Sequence, residues 1–373
     1  MKKLKVMTVV GTRPEIIRLA ATIKQLDEST DHVLVHTGQN YDYELNEVFF
    51  QDLGLRSPDH FLNADVTSLG ATLGSILTGI EQVIIAEKPD AFLVLGDTNS
   101  CVCAIMAKRM RVPVFHMEAG NRSFDENVPE ETNRRIIDHT ADYNLAYTEH
   151  ARRNLLAEGL HPSRIIVTGS PMAEVLDGNQ SQIAASTVLD DQGLTSQGYF
   201  LVSLHREENV DYPDRLESAC ETLQAVREAY KLPILVSTHP RTRKRLESLP
   251  DSVKEGLVFH KPFGFNDYIK LQIEAKAVLS DSGTISEESS ILGFPAITMR
   301  DFIERPEALD TGSIITAGLE PQSVLNALEL AIRLPRPQPP VDYQVLDTST
   351  RVVSFIVGTV HSHRRRMGLF AAN

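Results

Sequence analysis

Short apolar runs rich in β-branched residues alternate along the chain with longer segments of helical periodicity. In the first half the runs read LKVMTVV, HVLVHTG, AFLVLGD, VPVFHMEA, YNLAYT and RIIVTGS, and helices are predicted among others over residues 15–26, 69–87 and 100–111. Strands that are apolar on both faces and separated by helices predict parallel sheets covered on each side. The pattern restarts at YFLVSLH and continues through LPILVST, GLVFHKP, AKAVLSDSG, FPAITMR and SIIT. Two units of similar α/β build follow. The break between them falls after Gly169, ahead of a polar stretch over residues 177–197 that shows no strong period. The Pro-rich LPRPQPPVDY reads as an extended linker to a last helix over residues 350–366. The expected domains are 1–170 and 171–345, followed by a terminal helical segment, 346–373.

With 37 Lys and Arg against 50 Asp and Glu, the 373-residue chain carries a net charge of -13. That balance argues against nucleic acid as a partner and requires any anionic ligand to find a local basic pocket. The dense basic run HSHRRR at 361–366 reads as a solvated helix end beside the negative pole of its own dipole. No uninterrupted apolar stretch of about 18 residues occurs, and the amino terminus lacks a cleavage-site pattern, so the expectation is a cytoplasmic protein that spans no membrane. Cys101, Cys103 and Cys220 form neither a disulfide framework nor a zinc spacing, and read as small buried side chains.

In sheets of this kind ligands gather at the carboxyl ends of strands, and the distinctive residues lie there. VVGTRPE ends a strand at Gly11 and opens a helix, where N–H groups, Arg13 and Arg18 suit a phosphate, although neither a dinucleotide nor a Walker pattern is present. VLGDTNS sets Asp97 between an apolar strand and a helix. FHMEAGNRSFDENVPEETNRR delivers His116 and Glu118 at a strand end, then Glu130, Glu131, Asn133 and Arg134. Glu118, Glu130 and Glu131, three carboxylates converging on one cleft, would serve as acid and base for moving a proton, although Glu131 also suits a first-turn structural role and Asp97 also suits a helix cap. In the second half SLHREEN places His205, Arg206 and Glu207 after a strand, and Phe263 and Phe265 are candidates to flank a flat base. LSDSGTISEESSILGFP aims the N–H groups and hydroxyls of Ser282, Gly283 and Thr284 at an anion where a helix starts. Glu288 follows one turn on, with Arg300, Glu304 and Arg305 in MRDFIERPEA. No HExxH, paired CxxC or EF-hand pattern supports a metal site.

Taken in order, GTRPE, GDT, H-x-EAG-x-R, PEE-x-NR, HR-E, DSG-x-x-EE and MRD-x-x-ERPE resemble the non-hydrolysing UDP-N-acetylglucosamine 2-epimerase family over roughly residues 5–335. The resemblance implies two Rossmann-like domains with parallel sheets facing across a cleft, as in two-domain glycosyltransferases, with the final helix packing back on the first domain. It places UDP at Ser282, Gly283, Thr284, Glu288, His205 and Arg305, and the reacting sugar near Arg13, Asp97, Glu118 and Glu130. It implies no metal or nicotinamide cofactor, and a homodimer. The chain departs from the family's usual pattern at Arg18, commonly Lys, at Thr284, commonly Gly, and in GQNYDYEL. TGQNYDYELNEVFF, SLHREENVD and KPFGFNDY are similar to a bacterial branch in capsule and O-antigen synthesis. That branch converts UDP-2-acetamido-2,6-dideoxy-L-talose to UDP-N-acetyl-L-fucosamine, or the L-rhamno sugar to L-quinovosamine.

Overall fold

The six apolar runs of the first half become β1 (Lys5–Val10), β2 (Asp31–His36), β4 (Ala91–Leu95), β5 (Val114–Met117), β6 (Tyr143–Ala146) and β7 (Ile165–Val167), and a two-residue strand outside those runs, β3 (His60–Phe61), joins them. The computed structural model describes residues 3–39, 43–125, 128–238, 240–366 and 368. Among these, the strands form one parallel sheet of order β3-β2-β1-β4-β5-β6-β7. Every residue of β4 and β5 is buried, as expected of strands covered on both faces. One face packs on α2 (Leu69–Glu87), where Ile76, Ile80, Val83 and Ile84 join Met7, Val9, Phe92 and Val94 in a common core. The other meets α1 (Arg13–Ser29) and the last helix of the chain.

The GTRPE turn starts α1 because its residues satisfy a helix start twice over. Thr12 and Glu15 form a reciprocal capping box and a proline occupies the first turn. Ser68 caps α2, its Oγ accepting from Ala71 N at 3.1 Å. Among the described residues α2 is the one helix long and apolar enough to cross a membrane by composition, with a mean hydropathy of 1.5. The unit comprises Met1–Asp177 and Gln344–Asn373. The returning segment is hydrogen-bonded in, Ser349 N donating to Glu174 Oε2 at 2.8 Å and Thr348 Oγ1 to Ser170 O at 3.2 Å. Its terminal helix, Thr348–Arg366, packs on α1 and sets Phe355 edge-on to Tyr143, ring centroids 5.5 Å apart.

Gly178–Tyr343 form the second unit. Here β8 (Phe200–Leu204), β9 (Ile234–Thr238), β10 (Leu257–His260), β11 (Ala277–Ser280), β12 (Ala296–Thr298) and β13 (Ile315–Thr316) pair in parallel in the order β10-β9-β8-β11-β12-β13. The polar stretch over 177–197 is not featureless, since it holds the short helices Gln180–Ala185 and Val188–Asp191. The Pro-rich linker ends in a one-turn helix, Val341–Tyr343, that buries Tyr343 with its hydroxyl donating to Glu307 Oε1 at 2.6 Å.

Both sheets are doubly wound. From β1 the chain builds outward to β3, then crosses to β4 on the other side of β1; from β8 it builds to β10, then crosses to β11. The helices after β1 and β4 therefore leave on opposite faces, which opens a crevice at the carboxyl ends of those strands. The same holds for β8 and β11.

Candidate functional site

In the first unit β1 runs into Gly11, Thr12 and Arg13, while β4 runs into Gly96 and Asp97, and the two ends are tied by Glu15. Its carboxylate accepts from Gly11 N and Thr12 N at 2.7 Å each, from Thr98 Oγ1 at 2.8 Å and from the Ser100 hydroxyl. Burial pushes the Glu15 carboxyl above its ordinary range, against the pull of the Ser100 and Thr98 hydroxyls. From sequence Glu15 reads as a first-turn residue only; its brace to the loop after β4 depends on residues 83 positions away. Gly11 is required for the same closure, because a Cβ there would lie 2.2 Å from Thr37 Oγ1 and 2.8 Å from Gln39 Nε2. Arg13 is half-buried, its guanidinium carbon 5.7 Å from the centroid of the Phe49 ring.

Two of the carboxylates expected to move a proton, Asp97 and Glu118, each meet a guanidinium. Asp97 receives two bonds on Oδ2 from Arg134, Nε at 2.7 Å and Nη2 at 2.6 Å, and its side chain is 19% exposed. Glu118 is buried in an ion pair with Arg18, and Asn121 Nδ2 donates to its other oxygen at 3.3 Å. Its backbone is left-handed, φ 63°, a conformation that costs a non-glycine residue about 1–2 kcal/mol. Arg134 belongs to α3 (Pro129–Thr140), whose first turn holds half-buried Glu130. Glu131, next to it, is structural: it accepts from Ser123 N at 3.1 Å, from Ser123 Oγ at 3.2 Å and from Arg134 Nη1 at 3.1 Å. Although burial opposes the charge, the Ser123 N–H and Arg134 hold the Glu131 carboxyl below its usual range. Arg13, Arg18, Asp97, Glu118 and Glu130 thus lie along one edge of the first sheet.

In the second unit the organising residue is Asp281, which the sequence reading passes over in favour of its neighbours. Wholly buried after β11, it accepts from His205 N at 3.0 Å, Arg206 N at 3.0 Å and Asn209 Nδ2 at 3.2 Å, and faces His205 Nδ1 at 3.1 Å. Burial works against its charge, yet His205 and the N–H donors hold its carboxyl below the ordinary range. The signal in the sequence was DSG following a strand, one residue before the predicted anion turn. Asp281 carries the two switch-point loops, leaving the His205 side chain 38% exposed. Ser282, Gly283 and Thr284 are half-buried and lead into α4 (Ile285–Leu292), with Ser282 Oγ 3.0 Å from Thr284 Oγ1. Around them Arg300 grips Glu304 through two bonds, at 2.7 and 3.0 Å, and Arg206 Nη2 lies 3.6 Å from Glu304.

Three expected ligand contacts lie deeper. Arg305 is almost wholly buried, Nε 3.1 Å from Glu287 Oε1. Glu288 accepts from Gln272 Nε2 at 2.6 Å, and Phe263 sits in the core with His260 stacked on one face, centroids 4.1 Å apart. The Glu207 side chain, residues 40–42 of the GQNYDYEL segment and His239 of VSTHPRTR lie outside the described residues. Among the described residues no set of three His, Cys, Asp or Glu side chains gathers as metal ligands.

The family model for UDP-N-acetylglucosamine 2-epimerase matches residues 24–357. The chain is 44% identical to UDP-N-acetylglucosamine 2-epimerase from Rickettsia bellii, with a TM-score of 0.91 over 97% of this chain and 98% of that one. It is 35% identical to the Methanocaldococcus jannaschii UDP-GlcNAc 2-epimerase solved in complex with UDP-GlcNAc and UDP, with a TM-score of 0.90 over 95% of this chain and all 100% of that one. It is also 34% identical, over 88% of its length and 92% of the relative's, to the UDP-2,3-diacetamido-2,3-dideoxy-D-glucuronate 2-epimerase of Pseudomonas aeruginosa.

Proposed function

Since this chain belongs to the UDP-N-acetylglucosamine 2-epimerase family, we propose that it inverts carbon 2 of a UDP-2-acetamido sugar by eliminating UDP and adding it back. Carbon 2 has no adjacent carbonyl, so its proton leaves only as charge departs from carbon 1. A carboxylate takes that proton, the electron pair forms the double bond between carbons 1 and 2, and the bond from carbon 1 to UDP breaks. The products are a 2-acetamidoglycal and UDP. Return of UDP to carbon 1, with a proton delivered to the opposite face of carbon 2, gives the epimer.

One observation carries this reading: at the switch-point edge of the first sheet, Asp97 and Glu118 stand at the ends of adjacent strands, each fixed by a guanidinium. Asp97, Glu118 and Glu130 are assigned the proton transfers. In the second unit His205 and the turn Ser282, Gly283, Thr284 are assigned the diphosphate, whose charge grows as the bond breaks, and in the first unit Arg13 and Arg18 are assigned to substrate binding. Glu288 and Arg305 are assigned to the UDP end of the substrate, and Phe263 to its uracil. The substrate we assign is UDP-2-acetamido-2,6-dideoxy-L-talose or its L-rhamno counterpart, for bacterial surface polysaccharide. UDP-N-acetylglucosamine is the second reading, favoured by the names of the Rickettsia and Methanocaldococcus relatives. We place the enzyme in the cytoplasm as a homodimer.

The test is incubation with D- and L-configured UDP-2-acetamido sugars in deuterated water, followed by proton NMR of the anomeric region. One sugar is expected to yield its 2-epimer with deuterium at carbon 2. Turnover without deuterium would sink the mechanism, and no turnover of any sugar would sink the activity. Steady release of free UDP would mark a hydrolysing enzyme instead.

A further inference from the structure

The inward face of α3 is charged where a covering helix is ordinarily apolar. Its buried residues are Glu131, Arg134, Ile137 and Asp138. Taking charges out of water costs stability unless each is paired, so such a face calls for a purpose beyond packing. Glu131 holds Ser123 and Arg134 holds Asp97, as described above. Asp138, wholly buried one turn further on, accepts from Gly120 N at 3.2 Å and from Arg122 Nη1 at 2.7 Å. Its Oδ1 also lies 2.9 Å from His116 Nδ1, packed against the ring.

His116 reaches the other way. Its Nε2 lies 2.8 Å from the carbonyl oxygen of Gly96. A carbonyl only accepts, so Nε2 carries the proton and donates. Gly96 has φ 74° and directly precedes Asp97; Gly120 has φ 86° and lies two residues after Glu118. At Gly120 a Cβ would stand 2.3 Å from the Ala151 carbonyl, which shows how tightly that turn is seated. Asp138 therefore touches the backbone that aims Glu118 directly, and the backbone that aims Asp97 through His116. Neither Asp138 nor His116 reaches the exposed edge itself, since both are almost wholly buried.

From this geometry we infer that Asp138 and His116 are positioning residues for the epimerase reaction, fixing the separation and orientation of Asp97 and Glu118 from below the sheet edge. The inference rests on the function proposed above. A base and an acid on opposite faces of one carbon must both be in register, and displacement of about 1 Å at either can cost on the order of a hundredfold. The H-x-EAG-x-R motif then reads as a brace: His116 and Arg122 seat on Asp138, and Glu118 is the residue they hold.

The test compares Asp138→Asn, His116→Ala and His116→Gln in the full-length protein, assayed on the sugar that the wild type epimerises and at a temperature where circular dichroism shows each folded. Asp138→Asn and His116→Ala are expected to lower kcat about tenfold to a hundredfold with KM and UDP affinity within threefold of wild type. His116→Gln, whose amide nitrogen reaches as Nε2 does, is expected to recover kcat to within about fivefold of wild type. Wild-type kcat in folded Asp138→Asn or His116→Ala overturns the inference. So does His116→Gln failing as badly as His116→Ala, a comparison that stands even if Asp138→Asn does not fold. If the wild type exchanges the carbon 2 proton of no sugar in the panel, the epimerase reading itself has failed.

Discussion

Acid should loosen the first unit through a single histidine, His36 at the end of β2. Its ring is buried beside Phe61 and Phe50, with centroids 5.3 and 6.5 Å away. Nδ1 accepts from Gly38 N at 3.0 Å, which leaves the proton on Nε2, an atom with no partner among the described residues. Protonating Nδ1 would break the Gly38 bond and place a cation among apolar rings, and burial accordingly depresses the pKa from 6.5 to about 4. Between those values the unfolded chain binds the proton and the fold does not, so stability is full above pH 6.5 and falls as pH drops toward 4. At about 1.4 kcal/mol per pH unit the loss reaches roughly 3 kcal/mol. Glu15, whose carboxyl is raised by burial, contributes with the opposite sign on acidification, so the whole-protein slope mixes the two. The difference between wild type and His36→Asn isolates the histidine, since the Asn carbonyl oxygen can replace Nδ1 as acceptor for Gly38 N. Urea unfolding followed by circular dichroism at pH 7.5, 5.5 and 4.0 should show the variant less stable at pH 7.5 but losing about 3 kcal/mol less on acidification. Parallel pH dependence in the two proteins would refute the assignment. Thr37 and Gln39, which follow His36, pack on Gly11, so activity should fall over the same pH window.

Other expectations follow from the same geometry. Arg134→Lys leaves a point charge that cannot serve both Asp97 and Glu131; kcat should fall at least tenfold and the melting temperature should drop, with UDP binding measured by calorimetry unchanged. Gly120→Ala sets a methyl against the Ala151 carbonyl in a left-handed turn and should cost roughly 3 kcal/mol or more in chemical denaturation. Cys101, Cys103 and Cys220 are buried, which pushes their thiols up, Cys220 to about 11; a thiol reagent at pH 8 should label none in the native protein within minutes and all three in guanidinium.

The strands were legible because each had to be apolar on both faces, and a run such as AFLVL admits little else. Strand β3 was not, being two residues long, nor was the helix Tyr43–Asp52 that begins within the atypical GQNYDYEL segment. The site divides along a similar line. Residues that end strands, such as Asp97, Glu118 and His205, announce themselves by place alone, because the carboxyl edge of a parallel sheet is where ligands gather. Residues that hold them do not. Glu15, Asp138 and Asp281 act on groups 85, 18 and 76 positions away respectively, and each reads locally as an ordinary helix or loop carboxylate.

What the three share is placement at the carboxyl edge of a parallel sheet. Each of these buried carboxylates binds backbone N–H groups of a loop that leaves a strand, Gly11 and Thr12 for Glu15, Gly120 for Asp138, His205 and Arg206 for Asp281. A parallel sheet ends in N–H groups that the next helix has not yet taken up, and a buried carboxylate satisfies one or two of them while fixing the loop. The exposed side chains on those loops are thereby held without forming that contact themselves. Chemistry on a small sugar carbon needs such rigidity, because an acid and a base that drift relative to one another lose the reaction sooner than they lose the ligand.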